Sequence, residues 1–342
     1  MVEMTPRRRV LAALMGGKVD RVPATCIGGC GGSVCVEIQE AVGIYWPEAH
    51  RDAEKMAKLS SAAQKLTGFE NLRAPYDFAI MPEALGCKTE YRDKPEAKPG
   101  VREHPFKKPE DLSMPDDFLE KGRIPAVLEA LSLLKEESDD FLPVSSFALG
   151  PFSLAGQLTK PEDLIMWTVT KPDYVEEFVK FSTEVVIEYA NAQYRAGSDV
   201  ITIGEPLGAP DIAGPDAFRK FVKPALIKLA NNLQGIKIFH PCGDWNRFVS
   251  DVIETGFDGI STREEIDIMR VKPQLGDIRI LGNISSKGVL TFGSPEEVKT
   301  EARKALKLGV DLLEPACGVE PLMPLKNIKA LVEVARESKK EE

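Results

Sequence analysis

Two residues that bind soft metals stand where a hydrophobic run stops: His240 and Cys242, in the stretch IKIFHPCGDWN, Ile236 to Asn246. Ile236, Ile238 and Phe239 read as a short buried strand. On an extended backbone, side chains two positions apart share one face. A third candidate, Cys317, follows another short apolar run, ending in LLEPACG. Zinc takes four tetrahedral ligands from Cys, His and carboxylate, and a catalytic site leaves one of the four positions to water or substrate. His240, Cys242 and Cys317 meet that rule as Zn2+ ligands. Cys242 and Cys317 lie far apart in the chain, which excludes the local ligand spacing of a zinc finger or ribbon. A soft set of thiolates and imidazole binds a further soft ligand well, and a thiol bound to a metal loses its proton. The chemistry this points to is alkyl transfer to sulfur rather than hydrolysis.

Other polar residues cluster at the ends of apolar runs. Glu205 follows Asp199–Gly204 and reads as a displaceable fourth ligand, a base, or the partner of the second ring nitrogen of His240. Asp244 competes for that last role. Asn283, in GNISS, is placed to orient a substrate. Glu314 lies on the last run, where one residue of register decides whether it faces inward. Cys26, Cys30 and Cys35 form C-x₃-C-x₄-C, whose last gap departs from iron–sulfur spacing, so they read as small residues of a glycine-rich loop at the substrate mouth. Cys87 reads as packing. Gly28, Gly29, Gly31 and Gly32 lack the Lys-Ser/Thr ending of a phosphate-binding loop. His50 and His104 stand in Pro- and Glu-rich, surface-like sequence and read as non-catalytic.

The elements that must position these residues follow from periodicity and punctuation. Thr5 caps a helix that has Pro6 at its first position and ends at Gly16-Gly17. Lys171-Pro172 starts a long helix to about Ala196, with an inward stripe of Val175, Phe178, Val179, Ser182, Val185, Val186, Tyr189 and Gln193. Residues 215–232 read as a helix interrupted near Pro224. Short apolar runs near Cys26, Ile80, Val144, Ile201, Ile238, Ile260, Ile280 and Leu312 read as eight strands, mostly followed by helices. They lack strict alternation, as strands buried on both faces do. The expected fold is α/β, a (β/α)₈ TIM barrel with an N-terminal helical extension, in preference to an open doubly wound sheet. One domain over residues 1–342 is expected, with an irregular excursion around 90–120. In a barrel the active site lies at the C-terminal strand ends. Cys26, Glu205, His240, Cys242, Asn283, Glu314 and Cys317 all sit there.

The composition narrows the partners. The chain has 342 residues, 43% of them hydrophobic, and a formal charge of -9. Its only basic block is Arg7-Arg8-Arg9, which disfavours nucleic acid or an anionic membrane as partner. No apolar run is long enough to span a bilayer. VLAALM lacks a cleavage pattern, so the cytoplasm is the expected compartment. Six cysteines are too few for a disulfide scaffold at this length.

Longer stretches carry a family resemblance. RRRVLAALMGGKVDRVP resembles the first helix and strand of the uroporphyrinogen decarboxylase superfamily. YWPEAH, PYDFAIMPEALGC, GRIPAVLEA, YANAQYRAGSDVI, HPCG, GNISS and EPACGVEPLMPLKNIKALV resemble its methylcobamide:coenzyme M methyltransferase branch. The resemblance implies a (β/α)₈ barrel with one zinc on His240, Cys242 and Cys317. It also implies a thiol that takes a methyl group from methylcobalamin, a cobamide carried on a separate corrinoid protein. Methoxyaromatic or methylamine demethylation onto a corrinoid protein is the alternative. Porphyrinogen decarboxylation fits less well, because the loop CIGGCGGSVC has no arginine for a tetrapyrrole carboxylate. Glu205 stands where relatives tend to show Asp before Pro. Glu314 and Glu320 add negative charge near the mouth, against a sulfonate.

Overall fold

A computed structural model describes residues 3–338. Its strands are β1 (Leu72–Arg73), β2 (Lys88–Glu90), β3 (Gly100–Glu103), β4 (Val144–Leu149), β5 (Val200–Gly204), β6 (Ile236–His240), β7 (Gly259–Ser261), β8 (Arg279–Ile284) and β9 (Leu312–Pro315). Seven of them form one curled parallel sheet in the order β1-β4-β5-β6-β7-β8-β9. β4 and β5 are buried along their whole length. Cover on both faces is why their sequences read as continuous apolar runs. Register sets the chemistry level, with Gly204 opposite His240 and Asn283 opposite Glu314.

The closed eight-stranded barrel is therefore corrected to a seven-stranded parallel sheet. The strand expected near Cys26 is a single bridge, Ala24 to Leu313. Thr25 N donates to Leu313 O at 3.0 Å and Leu313 N to Pro23 O at 2.9 Å. On the other side Glu70 N reaches Ala24 O at 2.9 Å, but the next partner of the Cys26 N–H is a side chain, Asn71 Oδ1, at 2.8 Å. Pro23 has no N–H to give, and the glycines beyond Cys26 favour a loop. The strand expected near Ile80 is instead a helix, Ile80–Ala84, entered through a turn in which Asp77 Oδ1 accepts from Ala79 N. A four-residue apolar run does not distinguish helix from strand. The strand in that place is the two-residue β1, too short to leave a pattern. β2 and β3 pair antiparallel as a short hairpin that opens the irregular excursion.

The helical expectations fare better. Thr5 Oγ1 accepts from Arg8 N, and the helix Pro6–Leu14 ends before Gly16. Its buried Val10, Ala13 and Leu14 pack on Val200, Ile238, Leu281 and Leu312, plugging the sheet at the end opposite the chemistry. Val10 and Leu14 each contribute about 1.5–3 kcal/mol on full burial. The long helix is Pro172–Arg195, with every residue of the expected stripe buried. In 215–232 the turn Phe218–Val222 widens to a π-helix just before Pro224, which has no N–H for the ladder. No helix among the described residues is long and apolar enough to cross a membrane.

Candidate metal centre

His240 ends β6 and is fully buried. Its Nδ1 lies 3.1 Å from both the carbonyl and the hydroxyl oxygen of Ser261, at the end of β7. A carbonyl only accepts, so Nδ1 carries a hydrogen and Nε2 is the ring nitrogen left to face the cluster. Ser261, not Glu205 or Asp244, thus holds the second ring nitrogen. Cys317 follows β9. Its N–H donates to Ser286 Oγ at 3.0 Å, and that hydroxyl donates to Gly318 O at 2.8 Å. GNISS therefore reaches the site through Ser286. The distance from Cys317 Sγ to His240 Nε2 is 3.8 Å.

The fourth member is Cys30. Ligand atoms of Cys30, His240, Cys242 and Cys317 all lie within 4.8 Å of one another. The loop carrying Cys30 is gripped from several sides. The buried Arg73 guanidinium donates to the carbonyls of Cys26, Gly28 and Gly29. The Glu314 carboxylate accepts from Thr25 Oγ1, Ile27 N and Gly28 N. Ser261 Oγ accepts from Gly29 N at 2.9 Å, tying this loop to the residue that orients His240. Gly31 N donates to Cys317 O at 2.7 Å. Gly29 has φ +75, and a Cβ there would lie 2.4 Å from the Cys317 carbonyl carbon. Glycine is what lets the two backbones touch.

The donor set fits zinc. Four ligands at zinc–sulfur and zinc–nitrogen bond lengths sit about 3.5–3.8 Å apart on a tetrahedron, the scale of this cluster. Its titration shows the crowding. Hydrogen bonds from Cys242 and Cys30 hold the Cys317 thiol far below its usual range, while Cys242 and Cys317 push Cys30 up. Burial works to lower His240, yet Cys242 and Cys317 carry it up to about 10. Negative charge gathers on sulfur, where a cation would relieve it. Cys242 and Cys317 keep partial exposure, so the cluster opens to the mouth, while Cys30 and His240 are buried.

Comparison with known proteins follows the same lines. The family model for uroporphyrinogen decarboxylase (URO-D) matches residues 5–338. The chain belongs to the uroporphyrinogen decarboxylase family. Within that family it falls in the corrinoid methyltransferase branch. It is 40% identical to the methylcobamide:CoM methyltransferase MtaA of Methanosarcina barkeri, over 97% of this chain and 98% of the relative. It is 33% identical to MtbA of Methanosarcina acetivorans, over 99% and 100%. The solved structure of a methyltransferase from Methanosarcina mazei superposes with TM-score 0.93 at 38% identity, covering 98% of this chain and 99% of that one.

In this family member the remaining polar residues sit as follows. Glu205 is fully buried but stands apart from the cluster. Its carboxylate accepts from Phe152 N, Ser153 N, Ser153 Oγ and Gly208 N, at the start of the helix Pro151–Leu158. Burial drives it up to about 7 against these donors. Its own N–H holds the His240 carbonyl at 3.0 Å. Glu205→Gln puts an amide NH₂ among donors. A loss of about 1–3 kcal/mol in denaturant unfolding is expected, with metal content per chain unchanged. Lost metal with unchanged stability would make Glu205 a ligand instead. Asn283 donates to the Arg263 carbonyl at 3.4 Å and lines a separate cavity of ≈ 820 Å³ beside Glu264 and Ser285. Asp244 accepts from Asn246.

His50, read as surface-like, is in fact fully buried, 3.0 Å from Asp77 Oδ2, while Arg123 grips both oxygens of Asp77. His104 bonds Gln157 O, as does Cys87 more distantly. Cys26 is buried, with its thiol pushed up to about 11 by desolvation. Sequence reading singled out Cys30 only as a mouth-lining residue. Among the described residues no strand precedes it: the chain before Cys30 is the single Ala24 bridge and a glycine loop, and the folding of that loop onto Cys317 brings its thiol to the cluster.

Proposed function

We propose that this chain transfers a methyl group between a cobamide carried by a corrinoid protein and a small thiol such as coenzyme M, using zinc held by His240, Cys242, Cys317 and Cys30. The observation that carries the proposal is the four-donor cluster at the C-terminal ends of the strands, in a chain 40% identical to a methylcobamide:CoM methyltransferase. Zinc in this set supplies a Lewis-acid position at which a thiol loses its proton near neutral pH. Overall, sulfur gives up a proton and forms a bond to the methyl carbon, and the carbon–cobalt bond breaks with its electron pair left on cobalt.

The chain's residues prepare that event. Ser261 fixes the tautomer of His240. Ser286 and Gly31 fix the Cys317 backbone. Arg73 and Glu314 set the height of Cys30, which is the donor an incoming thiol displaces. Glu205 acts as a positioning residue, anchoring the helix after β4 beside the His240 carbonyl. Ile212 and Leu322, on the segments that follow β5 and β9, are exposed apolar residues, suited to a docking protein. Holding the reacting atoms in line and excluding water supplies much of the rate.

Four protein donors also favour a second reading, a closed structural site. Zinc content and methylcobalamin consumption of wild type and Cys30→Ala decide between them. A displaceable Cys30 predicts about one zinc per chain in the variant, continued turnover and a lower KM for the thiol. A closed site predicts lost zinc and no thiol-dependent consumption in either protein.

A further inference from the structure

Lys98 sits in the turn between β2 and β3, which Gln39 Nε2 ties down through Pro95 O at 2.7 Å. Its side chain is half-buried, with Nζ 5.5 Å from the centre of the Trp46 ring. Many of the chain's other lysines, such as Lys88 and Lys223, lie against a carboxylate. Among the described residues Lys98 closes no ion pair or hydrogen bond. Burial lowers its pKa, while Glu320, Cys317 and Asp77 act to raise it. Cys317 is thus close enough to act on the ammonium.

The surroundings are built for an acceptor. Trp46 is fully buried and its indole N–H has no partner, which is rare for a buried donor. Trp46 stacks on Tyr76, with ring centres 6.4 Å apart. Tyr76 in turn lies against Gly32, which bridges Val319, two residues beyond Cys317. Packing thus runs from Lys98 through Trp46, Tyr76 and Gly32 to the turn that carries Cys317. Asp77 is spent on Arg123, and burial lowers the pKa of His50. Arg263, another cation within reach of Cys317, spends its charge on Glu264 and Glu265.

Building on the proposed thiol methyl transfer, we infer that Lys98, over the Trp46 indole, is the specificity residue that holds the anionic tail of the thiol. A sulfonate has one negative charge and three acceptor oxygens. It would take the free ammonium and the unpartnered indole N–H while its thiol reaches the metal centre. The negative charge of Glu320 then serves to hold Lys98 protonated rather than to oppose the substrate.

The test compares wild type, Lys98→Met and Lys98→Arg. Calorimetric titration with ethanesulfonate, which has the tail and no thiol, reads tail binding without turnover. Methylcobalamin consumption is followed in parallel with 2-mercaptoethanesulfonate and with 2-mercaptoethanol. Lys98→Met is expected to weaken ethanesulfonate binding, and to raise KM for the sulfonated thiol, by roughly 10–100-fold. It leaves KM for 2-mercaptoethanol within about twofold, and Lys98→Arg recovers most of the loss. Equal losses with both thiols, or ethanesulfonate binding that is absent in wild type or unchanged in Lys98→Met, would overturn the assignment. If wild type turned over neither thiol, the proposed reaction would fail, and the titration would still decide Lys98.

Discussion

Cys317→Ala is expected to strip zinc from the protein and abolish thiol methylation while leaving the fold in place. Hydrogen bonds from Cys242 and Cys30 hold this thiol well below its usual range, toward thiolate. Its backbone is held independently, the N–H by Ser286 Oγ and the carbonyl by Gly31 N. The substitution therefore deletes the ligand without releasing the loop. Residues that merely orient a ligand are worth 10–100-fold in metal affinity or activity. Loss of a ligand itself should exceed that, with turnover down at least ~10³-fold. Cys87→Ala is the control, since that thiol faces the Gln157 carbonyl and, among the described residues, belongs to no donor cluster. Metal analysis after dialysis and methylcobalamin consumption check both variants. Full zinc and near-normal turnover in Cys317→Ala would remove the site from the account.

Gly29→Ala is expected to do nearly as much harm without touching a ligand. Its backbone has φ +75, and the added methyl would sit 2.4 Å from the Cys317 carbonyl carbon and 2.5 Å from the Gly318 nitrogen. Neither side can yield cheaply. Arg73 holds three carbonyls of the loop, Ser261 holds the Gly29 N–H, and Cys317 is pinned to Ser286. The loop must lift, and Cys30 lifts with it. We expect zinc affinity to fall at least tenfold and unfolding stability by about 2–4 kcal/mol, combining left-handed strain with a backbone overlap. Gly43→Ala separates the two terms. It has φ +66 but nothing within 4 Å of the new Cβ, so it should cost only about 1–2 kcal/mol and leave zinc binding alone.

Much of this was legible in the residues themselves. Pro and Gly punctuation located the helices Pro6–Leu14 and Pro172–Arg195, because first-position prolines and terminal glycines act locally. Six of the expected strands lie where apolar runs stand between turn signals. The first two strands did not follow that rule. Pro23 and the glycine loop reduce one to a bridge, and β1 has only two residues. The pairing of His240 with Cys242 and Cys317 was visible because all three end strands. Among the described residues Cys30 follows no strand, only the Ala24 bridge and a glycine loop, and the C-x₃-C-x₄-C pattern around it drew attention to the wrong neighbours. The places of Glu205, Glu314 and Asn283 depended on register and on which backbone N–H groups lacked partners. Sequence carries neither. Arg73 drew no attention at all, since its value lies in three carbonyls of a loop distant in sequence.

The most direct measurement is X-ray absorption at the selenium edge, on zinc-loaded protein mixed with the selenol analogue of 2-mercaptoethanesulfonate. If the substrate thiol binds where Cys30 gives way, selenium will show a zinc neighbour close to the zinc–sulfur bond length, ~2.3–2.5 Å. A selenium atom with only carbon and other light neighbours, in protein that retains its full zinc, would contradict a thiol-activating metal centre and leave the four residues as a closed structural site.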